Sequence, residues 1–332
     1  NACCNNNNNN NLLVVPLECN FGGDRYNVEQ IFQRLLLLPN TFYTMLDMAK
    51  AASTGPVNLC SLNPDFACLS FYKLFGTPTG LGCLFVKRTV VDLLNQSSGY
   101  FGGGSVDAIA ARTDFCVHRR PLTNHGTIHF RGIPALLAGF DELNRVGGMK
   151  AIERHTQCLA KELVYRLRNL RQSNGKQAVR IYGAWGTYND CASHDATPGP
   201  TVAFNMIRAD GTFVGYNEVS KLASLNRPPI QLRTGCFCNP GACQTALGLG
   251  DDDVIRNYQE SGHVCGDDID IINGRPTGAI RASFGKDSLW EDLDALVVFL
   301  EKMFVNHEEF NAKQTPLQDV PNEAVVTELY LF

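Results

Sequence analysis

Three cysteines, Cys236, Cys238 and Cys243, fall in the run RTGCFCNPGAC from Arg233 to Cys243, the densest set of reactive side chains in the sequence. Gly235, Pro240 and Gly241 give that run a tight, non-repetitive backbone of the kind that presents a side chain instead of burying it. Arg233 adds a permanent cation, which favours a thiolate over a thiol. The loop therefore suits a sulfur nucleophile or a metal ion. Cys265, with His263 in reserve, is the further donor that zinc would need. The spacing C-x-C-x4-C followed by a gap is not the paired C-x2-C of zinc knuckles. That mismatch favours the nucleophile and leaves a zinc-binding module without catalysis as the alternative.

Lys73 is the second anchor. It follows the apolar run Asp65 to Ser70 and opens onto GTPTGLG (76–82). An amine held at a strand end beside flexible backbone is suited to a Schiff base with pyridoxal phosphate, provided desolvation keeps part of it neutral. That chemistry also calls for an acid against the pyridine nitrogen, to keep the ring protonated and electron-withdrawing. Asp47, at the end of the strand-like run Thr41 to Leu46, is the candidate. Read singly, a lysine there is commonly a solvated charge and an aspartate a helix cap.

The elements that must position these groups alternate. Leu12 to Pro16, Thr41 to Leu46, Asp65 to Ser70 and Gly82 to Val86 read as short strands, and Asn27 to Leu38 as a helix stopped by Pro39. Helices are expected at Ile133 to Asn144, across Met149 to Leu170, at Asn217 to Leu225 and from Leu289 to Phe304. Further strands are expected at Val179–Tyr182, Thr201–Met206 and Ala279–Phe284. The segment 184–200 reads as an exposed loop. Alternation of this kind predicts an α/β fold with a mainly parallel sheet, whose functional residues gather at strand C-terminal ends. Asn20, Asp47 and Lys73 are assigned to such ends.

Bulk properties narrow the function classes. A net charge of −4 without a basic run disfavours nucleic acid and anionic membranes as partners. No apolar segment approaches the ~18 residues that span a bilayer. The opening NACCNNNNNNN is asparagine-rich low complexity and lacks the pattern of a secretory leader. The 13 cysteines are odd in number and mostly scattered. They point to a reducing, cytoplasmic setting, with Cys68, Cys83 and Cys116 as small core side chains.

Taken in order, Asn20, Asp47, SFYKLFGTPTGLG (70–82), YFGGG (100–104), GT (126–127), RTGCFCNPGACQ (233–244), GHVCGD (262–267), GRPTG (274–278) and RASFG (281–285) resemble the aminotransferase-class-V part of the molybdenum cofactor sulfurases, from about Leu12 to Phe304. The resemblance implies a pyridoxal-phosphate-dependent transferase of the aspartate aminotransferase type (fold type I). Its parts would be a low-complexity lead (1–11), a partial large domain (12–146), a small domain with the cysteine loop (147–310) and a tail (311–332). It implies Lys73 as the lysine that carries the cofactor, Asp47 at the ring nitrogen and Asn20 at the ring hydroxyl. Ser70 and Tyr72 would touch the phosphate, and Thr127 the phosphate of the neighbouring subunit of a homodimer. Arg281, with Arg233, would hold the substrate carboxylate, and Cys238 would be the nucleophile. The implied reaction converts L-cysteine to alanine and a Cys238 persulfide, whose sulfur passes to the molybdenum cofactor. Three features depart from the pattern: a short, asparagine-rich segment before Asn20, Lys50 in place of a smaller or uncharged residue, and NHGT (124–127) without an acidic pair. With the family's C-terminal domain also absent, they support an alternative, a truncated or inactive sulfurase-derived protein.

Overall fold

The computed structural model describes residues 11–76, 80–95, 102–119, 126–187 and 196–305. The first part of the chain forms β1 (Asn11–Pro16), β2 (Asp24–Tyr26), α1 (Val28–Leu35), β3 (Phe42–Asp47), α2 (Leu59–Leu62), β4 (Phe66–Ser70), α3 (Phe71–Phe75) and β5 (Gly82–Val86). Next come the hairpin β6 (Val106–Ile109) and β7 (Cys116–His118), then α4 (Gly132–Arg145) and α5 (Gly148–Asn169). The remainder forms β8 (Val179–Ile181), α6 (Gly183–Thr187), β9 (Ala196–Pro198), β10 (Thr201–Met206), α7 (Tyr216–Leu225), β11 (Arg233–Gly235), α8 (Pro240–Leu247) and α9 (Asp251–Ser261). It closes with β12 (Ile271–Ile272), β13 (Arg275–Pro276), β14 (Ala279–Ser283) and α10 (Trp290–Phe304).

Two four-stranded sheets carry the site. The first has the order β1-β3-β4-β5, with β1, β3 and β4 parallel and β5 antiparallel. Its register sets Pro16 beside Asp47 and Asp47 beside Cys68, so the parallel strands end together. Val15, Leu46 and Ala67 are buried on one face with Val28 of α1. Leu12 and Val14 point to the other face and stay 53% exposed. The second sheet, β11-β14-β10-β8, is antiparallel throughout. The parallel expectation therefore applies to the first sheet alone.

All six residues of β10 are buried, because both of its faces are covered. Val202, Phe204 and Met206 pack with Leu159, Leu163 and Leu167 of α5 and with Leu293 and Leu300 of α10. Ala203 points the other way, into a smaller core with Cys19, Phe21, Phe237, Cys243 and Ala279. That second core holds the cysteine loop against the end of the first sheet.

Several expectations are corrected. Residues 184–200 are not one exposed loop: they include most of α6, whose Trp185 is 1% exposed, and β9, which pairs with β2. Trp185 donates its indole N–H to the Gly199 carbonyl at 2.8 Å, which lets a single aromatic anchor a polar stretch. Helix α1 stops at Leu35, and Leu36 and Leu37 lie exposed in following turns. Cys68, Cys83 and Cys116, expected as core side chains, are only partly buried, and Cys60 and Cys158 are exposed.

Asp24 ties the two parts together: its carboxylate accepts the Ala184 backbone N–H at 2.5 Å. Gly183, at φ +68°, leaves the needed space, since a Cβ there would lie 2.6 Å from Asp24 Oδ1. Burial raises the Asp24 pKa above its ordinary value, and the Ala184 N–H offsets this only in part. The folded state therefore holds the proton more tightly, so this group's stabilising contribution is present at low pH and is lost as pH rises through the folded value. Asp24→Asn keeps an acceptor and does not titrate. The stability of the wild type relative to Asp24→Asn should fall as pH rises above the ordinary carboxylate value of about 4, read as the difference in urea midpoints. A difference that is flat or rises with pH contradicts this account.

Candidate active site

The acid and the amine sit at the end of the first sheet. Asp47 is the last residue of β3, and its Oδ1 accepts the Ala49 N–H at 3.0 Å. Lys73 does not close β4 as the sequence suggested. It lies in α3, a five-residue helix entered directly from Ser70, and its side chain is exposed. The helix starts there because the aromatic pair Phe71 and Phe75 stacks at 5.7 Å and meets Phe140 of α4. Cys68 is the register partner of Asp47 on β4: burial pushes its thiol pKa up, Asp47 adds to the rise and Lys73 opposes it. The structure thus brings Asp47 and Lys73 to one sheet end, with Cys68 in the field of both. Ser70 caps α3 without a side-chain cap hydrogen bond, and Tyr72 is 43% exposed. Thr127 is exposed beside Gly126, whose N–H is held by the Gly103 carbonyl at 2.7 Å.

The cysteine loop joins β11 to α8. Pro240 opens the helix, and Asn239 caps it by accepting the Ala242 N–H at 3.2 Å. Phe237 and Cys238 both adopt left-handed backbone, at φ 53° and 59°, which costs energy for residues with a side chain. Phe237 is held by burial, its ring 5.5 Å from that of Phe21 and 4.8 Å below the Arg281 guanidinium. Cys236 and Cys243 form a disulfide across the loop, with Cα atoms 5.3 Å apart. Cys238 stays free and exposed at the tip. The expectation of uniformly reduced cysteines is therefore corrected at this pair. The zinc alternative loses two of its ligands to that bond, and His263 pairs with Asp267 at 3.0 Å.

A strap from Leu17 to Asn20 links the sheet end to this loop. Leu17 N–H donates to the Asp47 carbonyl at 2.8 Å, Lys50 Nζ donates to the Cys19 carbonyl at 2.8 Å, and Arg281 Nη1 donates to the Asn20 carbonyl at 2.6 Å. Asn239 Nδ2 reaches Cys19 Sγ at 3.3 Å. Arg281 and Arg233 are direct partners across β14 and β11. Burial lowers the Arg281 pKa, Arg233 lowers it further, and Cys238 opposes the change. Like charges facing each other across strands are destabilising unless an anion joins them. Arg281 Nε is also buried without a hydrogen-bond partner.

Glu18 and Arg25 are functional neighbours that carry no motif in the sequence. Glu18 has no exposed side-chain surface and pairs with Arg25 at 2.9 Å and Lys50 at 3.3 Å. Its signal was an acid directly after the apolar strand run, where a solvated residue is the ordinary expectation.

The family model described as aminotransferase class-V matches residues 7–183, just over half of the chain. The chain belongs to the aminotransferase class-V family. Within it, the sequence is 43% identical over 308 residues to molybdenum cofactor sulfurase 3 of Aedes aegypti, covering 88% of this chain and 39% of that protein. It is 41% identical over 331 residues to the molybdenum cofactor sulfurase of Oryza sativa subsp. japonica, covering 95% of this chain and again 39% of the relative. The chain thus spans about two fifths of the length of these class-V relatives. Its fold is that of solved cysteine desulfurases. The apo enzyme of Thermococcus onnurineus NA1 superposes with a TM-score of 0.64 at 20% identity, over 89% of this chain and 60% of that one. The Escherichia coli cysteine desulfurase CsdA superposes with a TM-score of 0.61 at 21% identity, over 88% and 58%.

The loop geometry predicts a labelling order. Without reductant, iodoacetamide should modify Cys238 and leave Cys236 and Cys243 untouched, read by peptide mass spectrometry. After reduction Cys243, which is 0% exposed, should still lag behind Cys238. Equal labelling of Cys236 and Cys238 before reduction contradicts the disulfide.

Proposed function

We propose that this chain is the cysteine-desulfurating part of a molybdenum cofactor sulfurase: a pyridoxal-phosphate-dependent transferase that takes sulfur from L-cysteine onto Cys238. The observation that carries the reading is the strap, which ties an acid–amine pair at a parallel sheet end to an exposed, free cysteine beside a guanidinium. The donor set fits the cofactor. Lys73 has an exposed amine with no hydrogen bond among the described residues, and the Ala49 N–H occupies one Asp47 oxygen and leaves the other available.

When bound, pyridoxal phosphate supplies an electron sink conjugated to the substrate Cα. The chain's own groups do the rest. Asp47 holds a proton at the ring nitrogen, and Asn20, Ser70 and Tyr72 orient the ring and phosphate. Lys73 removes and returns the proton at the substrate carbon. Arg281, with Arg233 opposite, receives the substrate carboxylate in the bidentate manner a guanidinium allows. Its buried, unpartnered Nε supports that assignment. The Cys238 thiolate attacks the substrate sulfur, the substrate C–S bond breaks, and the carbon takes a proton to leave as alanine. The persulfide on Cys238 is exposed, which suits transfer of sulfur to the molybdenum cofactor. A homodimer in which Thr127 reaches the partner's phosphate, a cytoplasmic location, and a division into cofactor and cysteine-loop domains near residue 147 complete the reading. Among the described residues no helix is long and apolar enough to cross a membrane.

Adding pyridoxal phosphate to the purified chain should give a yellow species absorbing near ~420 nm, and Lys73→Ala should abolish it. Cys238→Ser should keep the colour and lose alanine formation from cysteine by about 100-fold or more. A colourless wild type refutes the cofactor assignment, and full turnover by Cys238→Ser refutes the nucleophile.

A further inference from the structure

We propose that Lys50 is a positioning residue for Arg281: by pairing with the buried Glu18 carboxylate it keeps the Arg281 guanidinium available to an incoming carboxylate. The proposal rests on the reading of Arg281 given above. Lys50 is also the position at which this chain departs from the expected smaller or uncharged residue.

Glu18 has 0% side-chain exposure, and its carboxylate is shared. Oε2 accepts from Arg25 Nε at 2.9 Å, and Oε1, buried without a hydrogen bond, forms an ion pair with Lys50 Nζ at 3.3 Å. Arg25 is committed elsewhere too, with Nη1 on Glu153 at 2.7 Å and Nη2 on Thr54 at 3.0 Å. Lys50 and Arg281 hold consecutive carbonyls of the same strap, those of Cys19 and Asn20. The two cations therefore flank one short segment backed by one anion. A buried carboxylate oxygen without a partner is costly and draws in the nearest cation able to move. If Lys50 were neutral, that cation would be Arg281, because Arg25 is already fixed on three sides.

A guanidinium turned toward Glu18 leaves the Asn20 carbonyl and the face of Phe237, and so leaves the side of the loop where Cys238 is exposed. In the native arrangement Arg281 instead keeps Nη1 on Asn20 and stacks on Phe237, with Nε unoccupied. Lys50 touches no substrate in this account. It acts by balancing the Glu18 charge.

The test compares alkylation of Cys238 on the full chain, without cofactor, by anionic iodoacetate and neutral iodoacetamide. The rate ratio of the two reagents reports the cation available beside the thiol, whether or not the chain is catalytically loaded. Arg281→Gln should lower the ratio by about threefold or more, and Lys50→Met should lower it by a similar factor. Lys50→Arg should preserve it. The double variant Glu18→Gln/Lys50→Met should restore it to within about twofold of wild type, because no anion then competes for Arg281. Arg281→Gln/Lys50→Met separates this effect from simple loss of a positive charge: its ratio should match that of Arg281→Gln, whereas a direct charge effect of Lys50 would lower it further and overturn the proposal. An unchanged ratio in Lys50→Met, with a reduced one in Arg281→Gln, overturns the role of Lys50 and leaves the Arg281 reading standing. An unchanged ratio in Arg281→Gln overturns both. Should Lys50→Met not fold, Lys50→Gln takes its place: a ratio lowered toward that of Arg281→Gln upholds the proposal, and an unchanged ratio overturns it.

Discussion

Burying the carboxylate of Glu18 is the constraint on which the site's surroundings depend. An ionised group taken out of water needs both charge partners and hydrogen bonds, or it neutralises. Here the partners come from separate places in the chain: Arg25 from β2, and Lys50 from the turn after β3. Each then reaches onward, Arg25 to Glu153 on α5 and Lys50 to the Cys19 carbonyl. The sheet end, the long helix and the strap are thereby fixed relative to one another before any apolar contact is considered. Burial lowers the Lys50 pKa and the Glu18 carboxylate works against that fall.

The strap converts that constraint into a site. Backbone carbonyls make good fixed acceptors because they have no rotamers to lose, and two successive ones are used here, beside the Glu18 carboxylate. The Asn20 carbonyl takes Arg281, the Cys19 carbonyl takes Lys50, and the Glu18 segment supplies the anion. Cys19 and Phe21, with 0% and 1% exposure, put their side chains into the second core beside Phe237 and Cys243. One short segment therefore positions cations through its backbone and the cysteine loop through its side chains.

How much of this could be read from the sequence depended on whether a signal was periodic or contextual. The strand runs and helices α4, α5, α7 and α10 were legible to within a few residues, because their apolar spacing is imposed by the cores they face. The strands that were missed are short ones in two-stranded sheets, β2 with β9, β6 with β7 and β12 with β13, each of two to four residues, so no period had room to develop. Trp185 was hidden in a polar segment for the same reason: one buried side chain makes no pattern. In the site, Asp47 and the cysteine loop were legible from residue type and punctuation. The helical position of Lys73 was not, since aromatic packing of Phe71 and Phe75 on Phe140 overrides the extended reading. Glu18 was invisible because the sequence does not record that Arg25 and Lys50 converge on it.

The left-handed pair at Phe237 and Cys238 shows how the loop's chemistry follows from its packing. Asparagine and glycine are the residues that relax into such backbone, and neither stands at those two positions. The conformation must then be held by something stronger than local preference. Three restraints act on the segment: the disulfide between Cys236 and Cys243, the Asn239 cap of α8, and Phe237 pressed between Phe21 and the Arg281 guanidinium. Because Phe237 is turned inward, its neighbour on a backbone this tight is turned outward, and that neighbour is Cys238. Exposure of the free thiol is thus the geometric counterpart of burying the phenyl ring. The same ring seats Arg281, so one packing contact bears on both the position of the sulfur and that of a cation whose charge it feels.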